Sequence, residues 1–195
     1  RVHTPPDEDK VDALRETLKT YGINLAKDRS ASPEAFGRVL EQVKGRAEAP
    51  MLNQLILRCQ SQAYYSPDNE GHFGLALQRY AHFTSPIRRY ADLLVHRALI
   101  DALELGEDGL RPGEADQFDE IGEHISFTER RAQKAEFDAI DRFTAAFLKE
   151  QIGAQVQGRI GGVTRFGLFV TLSDTGADGL VPINTLPDDF YHHDE

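Results

Sequence analysis

The chain has 195 residues, with 22 Lys and Arg against 32 Asp and Glu and a net charge of −10 at pH 7, enough for one sizeable core or for one domain and part of another. That acidity excludes a generic polycationic nucleic-acid coat: any RNA contact has to sit in a local basic groove, because counterion release needs clustered cations opposite phosphates. The single cysteine, Cys59, excludes an internal disulfide and a multi-cysteine zinc site, and with no signal peptide and no apolar run near roughly 18 residues the expectation is a soluble, cytoplasmic protein without a membrane partner.

The chain opens on RVHTPPD, which reads as the tail of a strand and makes the sequence read as a fragment. From Pro6 the segment DEDKVDALRETLKTYGI spaces Val11, Leu14, Leu18 and Tyr21 by threes and fours and stops at Gly22, which predicts a helix. Ser32-Pro33 opens a second helix with Phe36, Val39, Leu40 and Val43 as its apolar stripe. A third is predicted from Ala49 to Tyr64, carrying Met51, Leu52, Leu55, Ile56, Cys59 and Ala63; Cys59 reads as a core thiol. Tyr64 and Tyr65 then lead into the turn formers of SPDNEGH.

From Phe73 to Phe83 apolar residues recur at almost every second position, which predicts a half-buried strand, with Gly74 and Ala76 leaving room for a close approach and Tyr80 and His82 offering polar handles. Ser85-Pro86 then repeats the N-cap and first-position pair, which predicts a helix from Pro86 to about Leu105, largely buried. Its first turn would hold Arg88 and Arg89, although the positive end of a helix dipole disfavours cations. A broken local rule of this kind points to a phosphate site, built from unpaired backbone N–H groups and the planar fork of an arginine. The bland reading is a surface row in which Arg88 pairs with Asp92 and Asp92 with His96 at i, i+4 spacing.

The loop GEDGLRPG carries no evident chemistry. From about Glu114 to Gln151 the apolar period predicts one helix on the order of 50 Å, with Glu129 and Glu136 two turns apart on one face. Around Gly153 the period changes to two, and QVQGRIGGVTRFGLFVTL and GADGLVPINTL predict short strands. The tail FYHHDE holds adjacent His192, His193, Asp194 and Glu195, an arrangement that rarely makes a preorganised metal site.

The block SPDNEGHFGLALQRYAHFTSPIRRYADLLVHRAL closely resembles the signature of the RNB family of hydrolytic 3′-to-5′ exoribonucleases. SFTERRAQKAEFD resembles a late helix of the same family, and the glycine-rich strands after Gly153 resemble the opening of an S-one-type RNA-binding OB domain. The resemblance implies an α+β fold: a helix-rich C-terminal part of an RNB catalytic domain over residues 1–152, then an incomplete OB-fold barrel over 153–195. The barrel stops before its last strands, and Pro182 stands where the S-one pattern has a histidine.

By that resemblance the intact parent is a monomer that threads single-stranded RNA into a channel and processively releases nucleoside 5′-monophosphates. Family members hold magnesium on an aspartate cluster in the upstream half of the domain, which this chain does not contain, so the fragment alone is expected to be inactive. Arg88 matches the family arginine at the scissile phosphate, and a glutamate at the position of Glu136 approaches the terminal nucleotide; these two are the catalytic candidates. Arg89 is expected to serve a neighbouring phosphate or a structural carboxylate. His82, Tyr80 and Ser85 are the further RNA-contact candidates, and Phe166 and Phe169 the base-stacking ones. The alternative is a catalytically dead RNB-like protein that binds RNA or a regulatory partner. A free-standing S-one module fits poorly with the charge of −10 and Pro182.

Overall fold

In a computed structural model, residues 1–26, 32–187, 189 and 191 are described; the His192–Glu195 tail lies outside them. The chain is α+β, helix-rich with one three-stranded antiparallel sheet, and divides into two compact units, Arg1–Arg130 and Arg131–Glu195.

The first unit is organised on three helices: α1 (Glu8–Thr20), α2 (Pro33–Val43) and α3 (Ala49–Cys59). Asp7 caps α1 by accepting the Asp9 N–H at 3.0 Å, and Ser32 caps α2 by accepting the Ala35 N–H at 3.1 Å. Gly22, at φ +68°, lets the chain leave α1 while the Ile23 N–H returns to the Leu18 carbonyl at 3.0 Å. The predicted stripes meet in one core containing Leu14, Leu18, Phe36, Val39, Leu52 and Ile56, each such side chain contributing about 1.5–3 kcal/mol by burial. Cys59 is buried in it as a free thiol, and desolvation pushes its pKa up.

Helix α3 stops at Cys59, short of the expected Tyr64. Gln60 is already extended, and Tyr64 exchanges both backbone hydrogen bonds with Val2 at 2.8 and 2.9 Å. A long-range pairing therefore draws out the residues that the period alone assigns to the helix.

The strand expected from Phe73 to Phe83 does not form. Phe73–Leu75 is a single 3-10 turn, Ala76 takes a left-handed φ of +55°, and His72 and Leu77 exchange backbone bonds at 2.8 and 3.2 Å, so the chain reverses within a few residues. Alternate residues then share no face: Phe73 is buried, while Leu75, Leu77 and Phe83 are 50%, 46% and 44% exposed. The close approach expected at Gly74 is real, and its visitor is His3. The Gly74 N–H donates to His3 Nδ1 at 2.8 Å, and a Cβ at residue 74 would lie 2.9 Å from that nitrogen. Since a backbone N–H only donates, the His3 proton sits on Nε2, which donates to the Ser61 carbonyl at 2.8 Å.

Helix α4 spans Tyr90–Ala102, four residues later than the Ser-Pro signal indicates, and it is not largely buried: Asp92 and Leu94 are, but Leu93 and Leu99 are about two-fifths exposed. The loop after it is held by Arg97, which donates to the Gly109 carbonyl at 3.1 and 3.2 Å and to Glu114 at 2.6 Å. Helix α5 (Phe118–Lys149) follows as expected, its first part in this unit. There Gly122 lets it press onto the Tyr65–Ser66 backbone, and Ser126 Oγ accepts the Tyr65 N–H at 2.9 Å.

The second unit takes the rest of α5 and the strands β1 (Gly158–Thr164), β2 (Gly167–Leu172) and β3 (Asp178–Pro182), ordered β1-β2-β3. Register pairs Ile160 with Val170, Val163 with Leu168 and Leu168 with Val181, which gathers these five branched aliphatic residues on one face; a bulge falls between Ile160 and Gly162.

Candidate functional site

The residues singled out from the sequence fall into three groups. Tyr80, His82, Ser85, Arg88 and Arg89 occupy one stretch of the first unit, while Glu136 stands exposed on α5 in the second unit, where Phe166 lies in the β1–β2 turn and Phe169 on β2.

The stretch is built around a turn. The N–H groups of Arg88 and Arg89 both return to the Ser85 carbonyl, at 3.2 and 3.0 Å, after which Arg89 is extended (φ −127°, ψ 114°) and serves as the N-cap residue of α4. Arg88 thus precedes the helix instead of sitting in its first turn. Its side chain is exposed and has no hydrogen-bond or ion-pair partner among the described residues.

The reason for the late helix start is Asp92. Its carboxylate, 0% exposed, accepts the Ser85 N–H at 2.7 Å and takes Arg89 bidentately, Nε and Nη2 each at 2.8 Å. Burial works to raise the Asp92 pKa, but the hydrogen bonds from Arg89 and Ser85 and the Arg89 charge outweigh it and hold the carboxyl below its usual range. The Arg88–Asp92–His96 row does not form: Asp92 belongs to Arg89, and His96 donates from Nε2 to the Phe83 carbonyl at 2.8 Å with its ring stacked on Phe83 at 4.2 Å.

Beside the turn runs a file of rings. His3 and His72 are 5.0 Å apart, His72 and Tyr80 5.0 Å, Tyr80 and His82 5.8 Å, and His82 and Tyr65 5.5 Å. The Tyr65 hydroxyl and His82 Nδ1 are hydrogen-bonded at 2.9 Å, and the Arg1 guanidinium lies 4.5 Å over the Tyr65 ring while pairing with Glu129 at 2.7 Å. Tyr65, Tyr80, His82 and Arg1 border a cleft of about 480 Å³ whose floor is apolar, with Leu94 and Ile125 among its lining. The sequence points to Tyr80 and His82 but carries no signal for Arg1, which reaches the site from far along the chain. Asp92 is visible in the sequence as a carboxylate near two arginines; its partner is the one three residues before it.

Burial, then the charges of Arg89 and Arg1, lowers the His82 pKa; burial, then His3, lowers that of His72. A histidine whose folded pKa lies below the unfolded value near 6.5 contributes stability that is present above that pH and lost as pH falls, because the unfolded chain takes up the proton more readily. Unfolding in urea is therefore expected to become easier between about pH 7.5 and pH 5.5, with His72→Asn combined with His82→Gln flattening the slope. An unchanged slope in that double variant would assign the loss to other groups.

In the second unit Phe166, 60% exposed, sits in the β1–β2 turn with the Arg165 guanidinium 4.8 Å over its ring, and Phe169, 45% exposed, projects from β2 between its register partners Gly162 and Leu180. Exposed aromatic faces with an arginine beside them are suited to stacking on unpaired bases.

The RNB domain matches residues 1–105, and the S1 RNA binding domain matches residues 149–195. Ribonuclease R of Aquifex aeolicus is 47% identical over all 195 residues, and Ribonuclease R of Escherichia coli K12 is 40% identical over a 203-residue alignment that again covers the whole chain. The chain spans 28% and 25% of those two proteins. Among solved structures, the apo form of Mycoplasma genitalium RNase R superposes with a TM-score of 0.89 at 32% identity, covering 97% of this chain and 30% of that one. The same protein in complex with ribose methylated single-stranded RNA gives 0.88 at 32% identity, again over 97% of this chain and 30% of that one. Yeast Ssd1, a pseudonuclease, gives 0.72 at 20% identity over 95% of this chain and 23% of its own, a likeness of fold alone.

Proposed function

The chain belongs to the RNB domain family, and on that premise we propose that it is part of a hydrolytic ribonuclease that works processively from the 3′ end of single-stranded RNA and releases nucleoside 5′-monophosphates. The reading draws support from the relatives named Ribonuclease R, from the fold neighbour solved with single-stranded RNA, and from the S1 match. The observation that carries it is Arg88, an exposed guanidinium without a side-chain partner among the described residues, on a turn fixed from beneath by a buried carboxylate. A fork held in this way stabilises charge that develops on a phosphate during cleavage.

In this proposal Arg88 binds the scissile phosphate and Glu136 the terminal nucleotide. Tyr80, His82 and Ser85 contact RNA nearby, and Phe166 and Phe169 stack on bases upstream. Arg89 serves the turn first, since two of its nitrogens are engaged by Asp92. We take residues 1–152 as the catalytic part and 153–195 as the RNA-binding part of a monomeric, cytoplasmic enzyme.

The family implies magnesium, but the described residues of this chain form no site for it. Among the described residues no group of three or more His, Cys, Asp or Glu side chains is placed to hold a metal ion, and Asp92 is engaged by Arg89 and Ser85. The chain by itself is therefore expected to be inactive.

The test is to incubate the full-length protein with 3′-labelled single-stranded RNA and magnesium, next to residues 1–195 alone. Labelled mononucleotide from the first and none from the second is expected. Hydrolysis by residues 1–195 alone would overturn the division of labour. RNA bound and returned intact by the full-length protein would overturn the nuclease reading in favour of a silent RNA-binding relative.

A further inference from the structure

We propose that Asp92 is a positioning residue: by gripping the Ser85 N–H and the Arg89 guanidinium on one buried carboxylate, it fixes the turn that presents Arg88 to the cleaved phosphate. The inference rests on the reading of Arg88 just given and goes beyond it, because Asp92 touches no substrate.

The geometry leaves the turn few other supports. Ser85 to Arg89 is closed by two backbone bonds onto one carbonyl, at 3.2 and 3.0 Å. Such a turn, lying outside the helix that follows, is a weak element by itself, since its amides are not part of a cooperative ladder. Asp92 ties both of its ends to α4: Oδ2 takes the N–H of the first residue, and both oxygens take the side chain of the last. Between those fixed ends lie only Pro86, whose ring sets φ, and the exposed Ile87 and Arg88. The Arg88 Cα is thus located by its neighbours, and its side chain is left with no competing partner among the described residues.

Burial makes the grip specific. A carboxylate with no exposure has to be met by the donors aimed at it, and Ser85, Arg89 and Asp92 satisfy one another in a closed set. An asparagine at residue 92 keeps the size but puts N–H donors where an acceptor is needed. A lysine at residue 89 keeps the charge but cannot hold both oxygens. Either change loosens the turn while leaving Arg88 itself in the chain. A displacement on the order of 1 Å in a positioned group costs on the order of 100-fold in rate.

A double-mutant cycle on the full-length protein separates positioning from simple structural support. Single-turnover cleavage of labelled RNA would be compared for wild type, Arg88→Ala, Asp92→Asn and the double variant, with RNA affinity and Tm alongside. Asp92→Asn is expected to lower the rate on the order of 100-fold while RNA affinity changes little, and to add almost nothing once Arg88 is already Ala. Losses that multiply in the double variant would show that Asp92 acts independently of Arg88, and the proposal would fail while the nuclease reading stood. A harmless Arg88→Ala would remove the reading itself, and this inference with it. If Asp92→Asn does not fold, Arg89→Lys decides the matter in the same cycle, because it keeps a cation opposite the carboxylate. A smaller loss that vanishes in the Arg88→Ala background supports the grip; one that multiplies overturns it.

Discussion

Arg88→Ala in the full-length protein is expected to reduce single-turnover cleavage of single-stranded RNA by about 10²–10³-fold, the usual effect of removing one fixed donor from developing transition-state charge. RNA affinity should move far less, because a bound strand keeps its other phosphate contacts and loses roughly one unit from the salt slope. Arg88→Lys is the sharper comparison. It restores charge at the same place without the planar fork, so it should recover binding fully and cleavage only partly. Equal losses of rate and affinity in both variants would make Arg88 an RNA grip and leave the chemistry to other residues.

In the second unit the most sensitive position is Gly167. It opens β2 at φ +141°, a region that side-chain-bearing residues rarely enter, opposite Pro182 of β3. A Cβ there would run into the Val181 carbonyl oxygen and stand 2.9 Å from the Ile183 nitrogen and 3.0 Å from the Pro182 carbonyl carbon. All three are backbone atoms of the neighbouring segment, so no side chain can swing aside. Gly167→Ala is expected to part β2 from β3 at a cost on the order of 3 kcal/mol or more. Hydrogen exchange read at the β2 and β3 amides would report it, and RNA affinity should fall as Phe169 loses its setting. Gly179→Ala is the control, since its Cβ would meet nothing within 4 Å and its φ is ordinary. Similar exchange in the two variants would remove the steric argument.

Two Ser-Pro pairs show what local sequence can and cannot fix. Ser32-Pro33 starts α2 where the signal says, because Ser32 Oγ finds the Ala35 N–H. Ser85-Pro86 carries the same signal, yet α4 begins at Tyr90, because Asp92 reaches back for the Ser85 N–H and the Arg89 guanidinium. The alternation from Phe73 to Phe83 fails for a related reason: the reversal at Ala76 is set by pairing with His72 and by His3, not by a local glycine or proline pair. The sheet of the second unit is legible because its turns and register lie within neighbouring residues. The arginine pair is legible as an anomaly at a helix start, and the resemblance separates Arg88 from Arg89. Which of the two partners expected for Arg89 it takes, a phosphate or a structural carboxylate, is not, since it depends on which guanidinium the buried Asp92 carboxylate can reach.

The backbone pairing of Val2 with Tyr64, and of His3 with His72, also bears on the order in which the first unit assembles. Helices α1 to α3 close over short connections, but the pairing at Val2 has to bring together the two ends of a loop on the order of 60 residues, and that entropy is lost before the contact returns anything. The three-helix core can therefore gather first, with the Val2–Tyr64 pairing following. The ring file begins at His3 and the cleft is bordered by Arg1. A substitution at Val2 should therefore slow the appearance of a complete cleft more than it slows collapse of the core.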